Sequence, residues 1–246
     1  MSSNQVRPAR PHTGVTEDGR RLAQVLTYTR RGSRMTARQS AAWERCRERW
    51  WIPDEAVDDP AFDVRSAFAD PGAPLVVEIG SGVGEATAAL AAARPSYNVL
   101  AVEVWQPGVA ETFLRLEETG AENVRLLSID AVWSTEHLLG ERQVSELWTF
   151  FPDPWPKKRH HRRRLVNTSF ARLAATRLVP GGVWRLATDW AEYAEQITSV
   201  LDAEPLLDSA YDGPAPRWAA RPLTRFERRG IRAGREITDL TYRRTP

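Results

Sequence analysis

Five apolar runs of strand length recur between Leu75 and Thr188, with helical periodicity between most of them. The runs are Leu75 to Ile79, Asn98 to Glu103, Val124 to Ile129, Ser145 to Phe151 and Gly182 to Thr188. Helical patterns occupy Glu85 to Ala93, Gly108 to Glu118, Val166 to Leu178 and Trp190 to Ala203. Short, largely apolar strands that alternate with helices are buried on both faces, as a doubly wound, mostly parallel α/β sheet provides. Pro180-Gly181-Gly182 stops one helix, and Glu236 to Tyr242 adds a C-terminal strand of alternating pattern, expected to run antiparallel.

The rest of the chain is organised around that unit, taken as residues 74–246. Residues 1–29 are polar and basic and read as a flexible arm. Residues 30–73 read as one helix and a linker. Thr36 and Gln39 form a capping-box pattern ahead of a helix from Ala37 to Trp51, and Pro53, Pro60, Pro71 and several Asp mark irregular chain from 52 to 73. The single cysteine, Cys46, excludes an intrachain disulfide and a cysteine cage for metal. Met1 to Arg10 lack the apolar core of a signal peptide, and no apolar run reaches membrane-spanning length. The expected compartment is the cytoplasm, with no membrane partner.

Charge is unevenly spread. Residues 1–51 hold eleven Arg against four acids, residues 157–164 hold six Lys or Arg, and residues 217–246 hold nine Arg against three acids. Three basic blocks around an acidic centre point to a polyanionic partner outside and a cationic ligand inside.

Two stretches carry the chemistry. Glu78-Ile79-Gly80-Ser81-Gly82-Val83-Gly84 joins the first strand to its helix. Its spacing is G-x-G-x-G rather than the G-x-G-x-x-G of pyrophosphate sites, and the acid before Gly80 suits a cation better than a diphosphate. Glu103 ends the second strand, placed to accept from both ribose hydroxyls, and Asp130 ends the third, placed to meet an adenine edge. Glu78, Glu103 and Asp130 around glycines 80, 82 and 84 describe a site for S-adenosylmethionine. The second stretch is Phe150-Phe151-Pro152-Asp153-Pro154-Trp155, followed by Pro156 and the basic run to Arg164. Each proline fixes its own φ and biases the residue before it to extended geometry, so Asp153 sits on stiff chain at the carboxyl end of the fourth strand. Arg31, Arg34, Lys157, Arg159, Arg162, Arg163 and Arg164 are the candidate phosphate contacts. His160 and His161 have no acid or cysteine at ligand spacing, so no metal is expected. Trp155 suits either stacking on a base or a place in the core.

With both stretches in hand, the sequence resembles the bacterial tRNA (guanine-N7-)-methyltransferase family from about Arg30 to Tyr242. The resemblance rests on the glycine loop, on Glu103-Val104 and on the Phe150 to Arg164 signature. It extends to Ala187-Thr188-Asp189-Trp190 and to Pro222 through Gly230. It implies a class I S-adenosylmethionine-dependent methyltransferase fold and methyl transfer to N7 of a variable-loop guanosine, tRNA position 46, by a monomer or homodimer. It further implies that Glu78, Glu103, Asp130 and Asp153 contact the cofactor and that Asp153 is catalytic. Lys157, Asp189, Thr224, Arg225, Phe226 and Glu227 would contact substrate. Whether Asp153 holds the Watson–Crick edge of guanine or the methionine amine is open at this level. Asp189 suits a helix cap as well as it suits substrate. Thr224 and Glu227 have the spacing of a capping box, but the Arg228-Arg229-Gly230 that follows is a poor helix start, which favours substrate contact.

Overall fold

The structure, a computed structural model, describes residues 27–28 and 32–246. Except for Thr27 and Tyr28, the expected N-terminal arm lies outside the described residues, as does Arg31. Seven strands form one sheet: β1 (Leu75–Ile79), β2 (Asn98–Val102), β3 (Val124–Leu127), β4 (Val144–Phe150), β5 (Leu178–Thr188), β6 (Leu207–Ser209) and β7 (Thr238–Arg244). Their order is β3-β2-β1-β4-β5-β7-β6. Strands β1 to β5 pair in parallel, and β7 joins β5 and β6 antiparallel. The helices are α1 (Ala37–Trp50), α2 (Asp54–Asp58), α3 (Glu85–Ala93), α4 (Gln106–Thr119), α5 (Ala131–His137), α6 (Thr168–Arg177), α7 (Ala191–Asp202) and α8 (Arg225–Arg232).

Two apolar layers sandwich the sheet, and β1 shows why its run is continuous. Leu75, Val77 and Ile79 enter the layer that holds Phe170 and Ile197 of α6 and α7. Val76 enters the other layer, with Leu90 of α3, Phe113 of α4 and Trp50 of α1. Strand order reverses between β1 and β4, so the chain after these two strands leaves the sheet in opposite directions and opens a crevice at their carboxyl ends.

Residues 52–73 are not the irregular linker that their Pro and Asp content suggests. They hold α2 and a 3₁₀ turn at Val64–Ala67, and they bury Ile52, Val57, Val64 and Phe68 against the sheet. The Ile52 N–H donates to the Leu126 carbonyl at 3.0 Å, so this segment covers the open edge of β3. Helix α1 begins at a formed capping box, in which Gln39 N donates to Thr36 Oγ1 at 3.3 Å and Thr36 N to Gln39 Oε1 at 2.9 Å. It docks on α4 through Trp50, whose indole N–H donates to the Ala121 carbonyl, and through the Arg45–Glu117 ion pair.

Candidate active site

The turn after β1 runs through Gly80, Gly82 and Gly84 at φ 76, 63 and 74, a region closed to most L side chains. Gly84 is fixed twice over, because a Cβ there would lie 2.4 Å from Thr112 Cγ2 of α4. A Cβ on Gly80 meets open space, because that residue faces the cleft. Glu103, one residue past β2, clasps the turn. Its Oε2 accepts from Gly82 N at 2.7 Å and its Oε1 from Trp105 N at 2.8 Å.

The cleft measures about 840 Å³ including its open mouth. Ile79, Val102, Ile129 and Leu165 give it apolar walls, and Gly80, Gly82, Glu103, Trp105 and Asp153 edge it. Phe226 of α8 closes one side, while Thr27 and Tyr28 close another. The indoles of Trp155 and Trp105 donate to the Thr27 and Gly32 carbonyls, so Trp155 holds Thr27 at the cleft. Thr27, Tyr28 and Trp105 were missed by the sequence reading; a lone indole beside the Glu103 strand end was the one available signal.

Asp153 stands in the lining, at the end of a turn that departs from the geometry its prolines suggest. Phe151 and Trp155, each followed by proline, adopt φ 54 and 45 instead of extended backbone. Left-handed conformations at such residues cost about 1–3 kcal/mol each and persist where the surroundings over-determine them. Here Phe151 N donates to the Ala187 carbonyl at 2.7 Å, and the Arg163 guanidinium lies 3.5 Å from the Trp155 ring centre.

Several expected contacts have other partners. Asp130 caps α5, its Oδ1 accepting from Val132 N and Trp133 N, and its neighbours Ile129 and Ala131 line the cleft in its place. Arg164 does not face solvent. It is 1% exposed, donates to the Pro154 carbonyl at 2.7 Å and to Gln196, and so braces the Asp153 turn from behind. Arg163 turns inward over Trp155, whereas Lys157, Lys158, Arg159 and Arg162 are exposed on a 3₁₀ turn, as is Arg34 ahead of α1. Asp189 does not cap α7; Trp190 holds that position and Asp189 pairs with Arg235 at 2.7 Å. The poor helix start after Thr224 is a helix nonetheless. Thr224 caps α8 by accepting from Glu227 N, and Glu227 is buried in ion pairs with Arg217 and Arg221. Arg225 is exposed, its N–H donating to Glu85. Among the described residues, no three His, Cys, Asp or Glu side chains gather as a metal site, and no helix is long and apolar enough to cross a membrane.

Residues 72–240 match the family model described as "Putative methyltransferase". A tRNA (guanine-N(7)-)-methyltransferase from Nocardioides sp. is 62% identical over 239 residues, covering 97% of this chain and 95% of the relative. A protein of the same description from Cutibacterium acnes is 45% identical over 247 residues, covering 94% of this chain and 87% of the relative. The chain belongs to the tRNA (guanine-N(7)-)-methyltransferase family.

Solved structures agree on the fold of this family member. A variant 16S rRNA (adenine(1408)-N(1))-methyltransferase from Catenulisporales acidiphilia superposes with a TM-score of 0.51 at 18% identity, over 79% of this chain and 92% of that one. The 16S rRNA methyltransferase KamB gives 0.51 at 17% identity, over 88% and 97%. The sheet is that of a class I, Rossmann-like methyltransferase, mostly parallel with an antiparallel C-terminal strand, as its sequence pattern suggests.

Glu78 behaves differently from the other acids of this methyltransferase. It lies inside β1, 3% exposed, and accepts from the Thr87 hydroxyl at 2.5 Å. It lines a smaller cavity beside the main cleft, with Ser81, Glu85, Phe151 and Thr224. Burial pushes its carboxyl from 4.5 up to about 7, against the pull of the Thr87 hydrogen bond and with help from the Glu103 charge. Between these values the folded protein holds a proton that the unfolded chain has released. The stabilisation is therefore complete below pH 4.5 and is lost as pH rises to about 7. A shift of that size corresponds to about 3 kcal/mol. Glu78→Gln should flatten this decline; thermal unfolding of both proteins at pH 5 and pH 8 checks it, and equal pH dependence in the two would refute it.

Proposed function

We propose that the chain transfers the methyl group of S-adenosylmethionine to N7 of a guanosine in tRNA, at the variable-loop position that the family resemblance implies. The observation that carries this reading is the meeting, at the strand-order reversal, of the Glu103-clasped glycine turn with Asp153 in one cleft. The cleft suits S-adenosylmethionine. Gly80 leaves open space where a side chain would project, the walls are apolar enough for an adenine ring, and the Glu103 carboxylate can receive a ribose diol. Asp153 adds a carboxylate where a cationic ligand gains from it.

When bound, S-adenosylmethionine supplies an electrophilic methyl on a sulfonium centre. The chain's own task is light on proton chemistry, because guanine N7 offers an in-plane lone pair and carries no proton. No general base on N7 is required. The protein has to draw the base out of its stack, at a cost of a few kcal/mol, and hold it in line. Correct orientation alone contributes about 7–11 kcal/mol in well-oriented intramolecular reactions. The methylated base is cationic, so Asp153 favours the charge as it develops. Phe151 and Phe226 frame the space beside Asp153, and Thr27 with Tyr28 limits water from the N-terminal side.

The test is transfer of label from S-adenosylmethionine to unmodified tRNA, followed by aniline cleavage at N7-methylguanosine. One cleavage in the variable loop is the expected result. Cofactor binding without transfer to tRNA would overturn the substrate assignment.

A further inference from the structure

The nine Arg between residues 217 and 246 read as one basic block in the sequence, but the structure sorts them. Arg217 and Arg221 are committed to Glu227, Arg221 also to Asp239, Arg228 to Glu85 and Arg235 to Asp189. Arg244 is buried and donates to the Leu178 carbonyl at 2.8 Å. Arg225, Arg229 and Arg232 of α8 are exposed, as is Arg243 on β7. The three on α8 stand at i, i+4 and i+7, so they share one face of the helix and span about 10 Å along it. Arg229 and Arg232 make no side-chain hydrogen bond or ion pair among the described residues.

This stripe has a fixed place. Glu227 and Gly230 are the buried side of α8, and a Cβ on Gly230 would sit 3.0 Å from Asp189 Cβ, so the helix is pressed close to the end of β5. Glu85, at the start of α3, accepts from Arg225 N at 2.6 Å and from Arg228 Nη2 at 2.8 Å. Arg225 begins the stripe next to the cleft, its guanidinium 5.0 Å from the ring of Phe226, which lines the cleft. A second group of exposed cations, Lys157, Lys158, Arg159 and Arg162, follows the Asp153 turn that lines the same cleft. Two basic elements from distant parts of the chain therefore border one opening. A base that enters the cleft leaves its chain's phosphates outside on both sides.

We propose that the exposed face of α8 is a second RNA-backbone contact, in which Arg229 and Arg232 take phosphates on the opposite side of the target nucleotide from the Lys157–Arg162 turn. The proposal rests on the tRNA reading above and adds where the RNA lies. Phosphate contacts fix register without reading sequence, and each releases counterions, so each adds to the salt dependence of binding.

The experiment compares the wild type, the double variant Arg229→Gln/Arg232→Gln and the control Arg243→Gln. Binding of fluorescently labelled, unmodified tRNA is measured across a salt series, beside steady-state methyl transfer. The double variant should reduce the slope of log affinity against log salt by about 1.4–1.8, from about 0.7–0.9 per phosphate contact. Its KM for tRNA should rise about tenfold while kcat at saturating tRNA stays within about twofold, the pattern of lost uniform binding. Cofactor affinity should not change. An unchanged slope and KM, or an equal effect from Arg243→Gln, would overturn the proposal and leave the methyltransferase reading standing. Failure of the wild type to transfer methyl to tRNA would overturn that reading first.

Discussion

Asp153→Asn is expected to lower the rate of methyl transfer to tRNA by about 100–1,000-fold at saturating substrates, the usual consequence of removing one preorganised electrostatic group. The substitution is nearly isosteric and keeps an acceptor oxygen, so it removes charge without removing shape. The turn that carries Asp153 is held by other groups: Phe151 N on the Ala187 carbonyl, Arg164 on the Pro154 carbonyl and Arg163 on the Trp155 ring. With the side chain's shape and an acceptor oxygen kept, the loss of stability should be no more than about 1 kcal/mol, the centre of the range for point substitutions. Single-turnover transfer separates chemistry from product release, and equilibrium cofactor binding shows which ligand the carboxylate faces. Unchanged cofactor affinity with a slow transfer step places the charge against guanine, whereas a large loss of affinity places it against the methionine amine. Retained turnover with unchanged guanine preference would remove Asp153 from the catalytic role altogether.

How much of this was legible in the sequence depended on whether each signal was local. The strands β1 and β2 are short, mostly apolar runs buried along their whole length, and a run buried on both faces needs no partner to be recognised. Gly84 was equally legible, although its reason lies across the fold in Thr112. The irregular look of residues 52–73 came from Pro and Asp, which outweigh four apolar residues spaced too widely to show a period. The basic run from Lys157 to Arg164 looked uniform because charge says nothing of direction. A 3₁₀ turn exposes its first members and sends Arg164 under the Asp153 turn, where the carbonyl of Pro154 waits for it. Thr224 to Glu227 shows the reverse error. The capping box was visible, yet Glu227 does not reach back to cap, because Arg217 and Arg221 hold its carboxylate. Those arginines are six and ten residues away in sequence and no pattern announces their partner. The left-handed Phe151 and Trp155 were likewise hidden, since a following proline argues for extended chain.

Arg221→Met is expected to destabilise the protein by about 3–5 kcal/mol, the cost of leaving buried charges without their counterion. Arg221 has no exposed surface, and its Nη2 lies 3.1 Å from Glu227 Oε1 and 3.0 Å from Asp239 Oδ2. It thereby ties α8 to β7, while its guanidinium carbon stands 5.3 and 5.5 Å from the ring centres of Phe150 and Phe151. Nε and Nη1 find no oxygen acceptor among the described residues, and the aromatic faces are the compensation the site offers. Methionine fills comparable volume, so the loss tests charge rather than packing. Burial already raises the Asp239 carboxyl despite Arg221 beside it, and without that guanidinium its charged form loses its main support. Glu227 would keep Arg217, whose Nε is 2.6 Å away, so Asp239 should carry the larger share of the penalty. Thermal unfolding should show a fall of about 6–20 °C for a chain of this size. Adding Asp239→Asn to Arg221→Met should recover more of that loss than adding Glu227→Gln, because it neutralises the carboxylate left without a partner. Equal recovery by the two, or a single-variant loss under about 1 kcal/mol, would mean that packing against Phe150 and Phe151, not the ion network, holds α8 over the cleft.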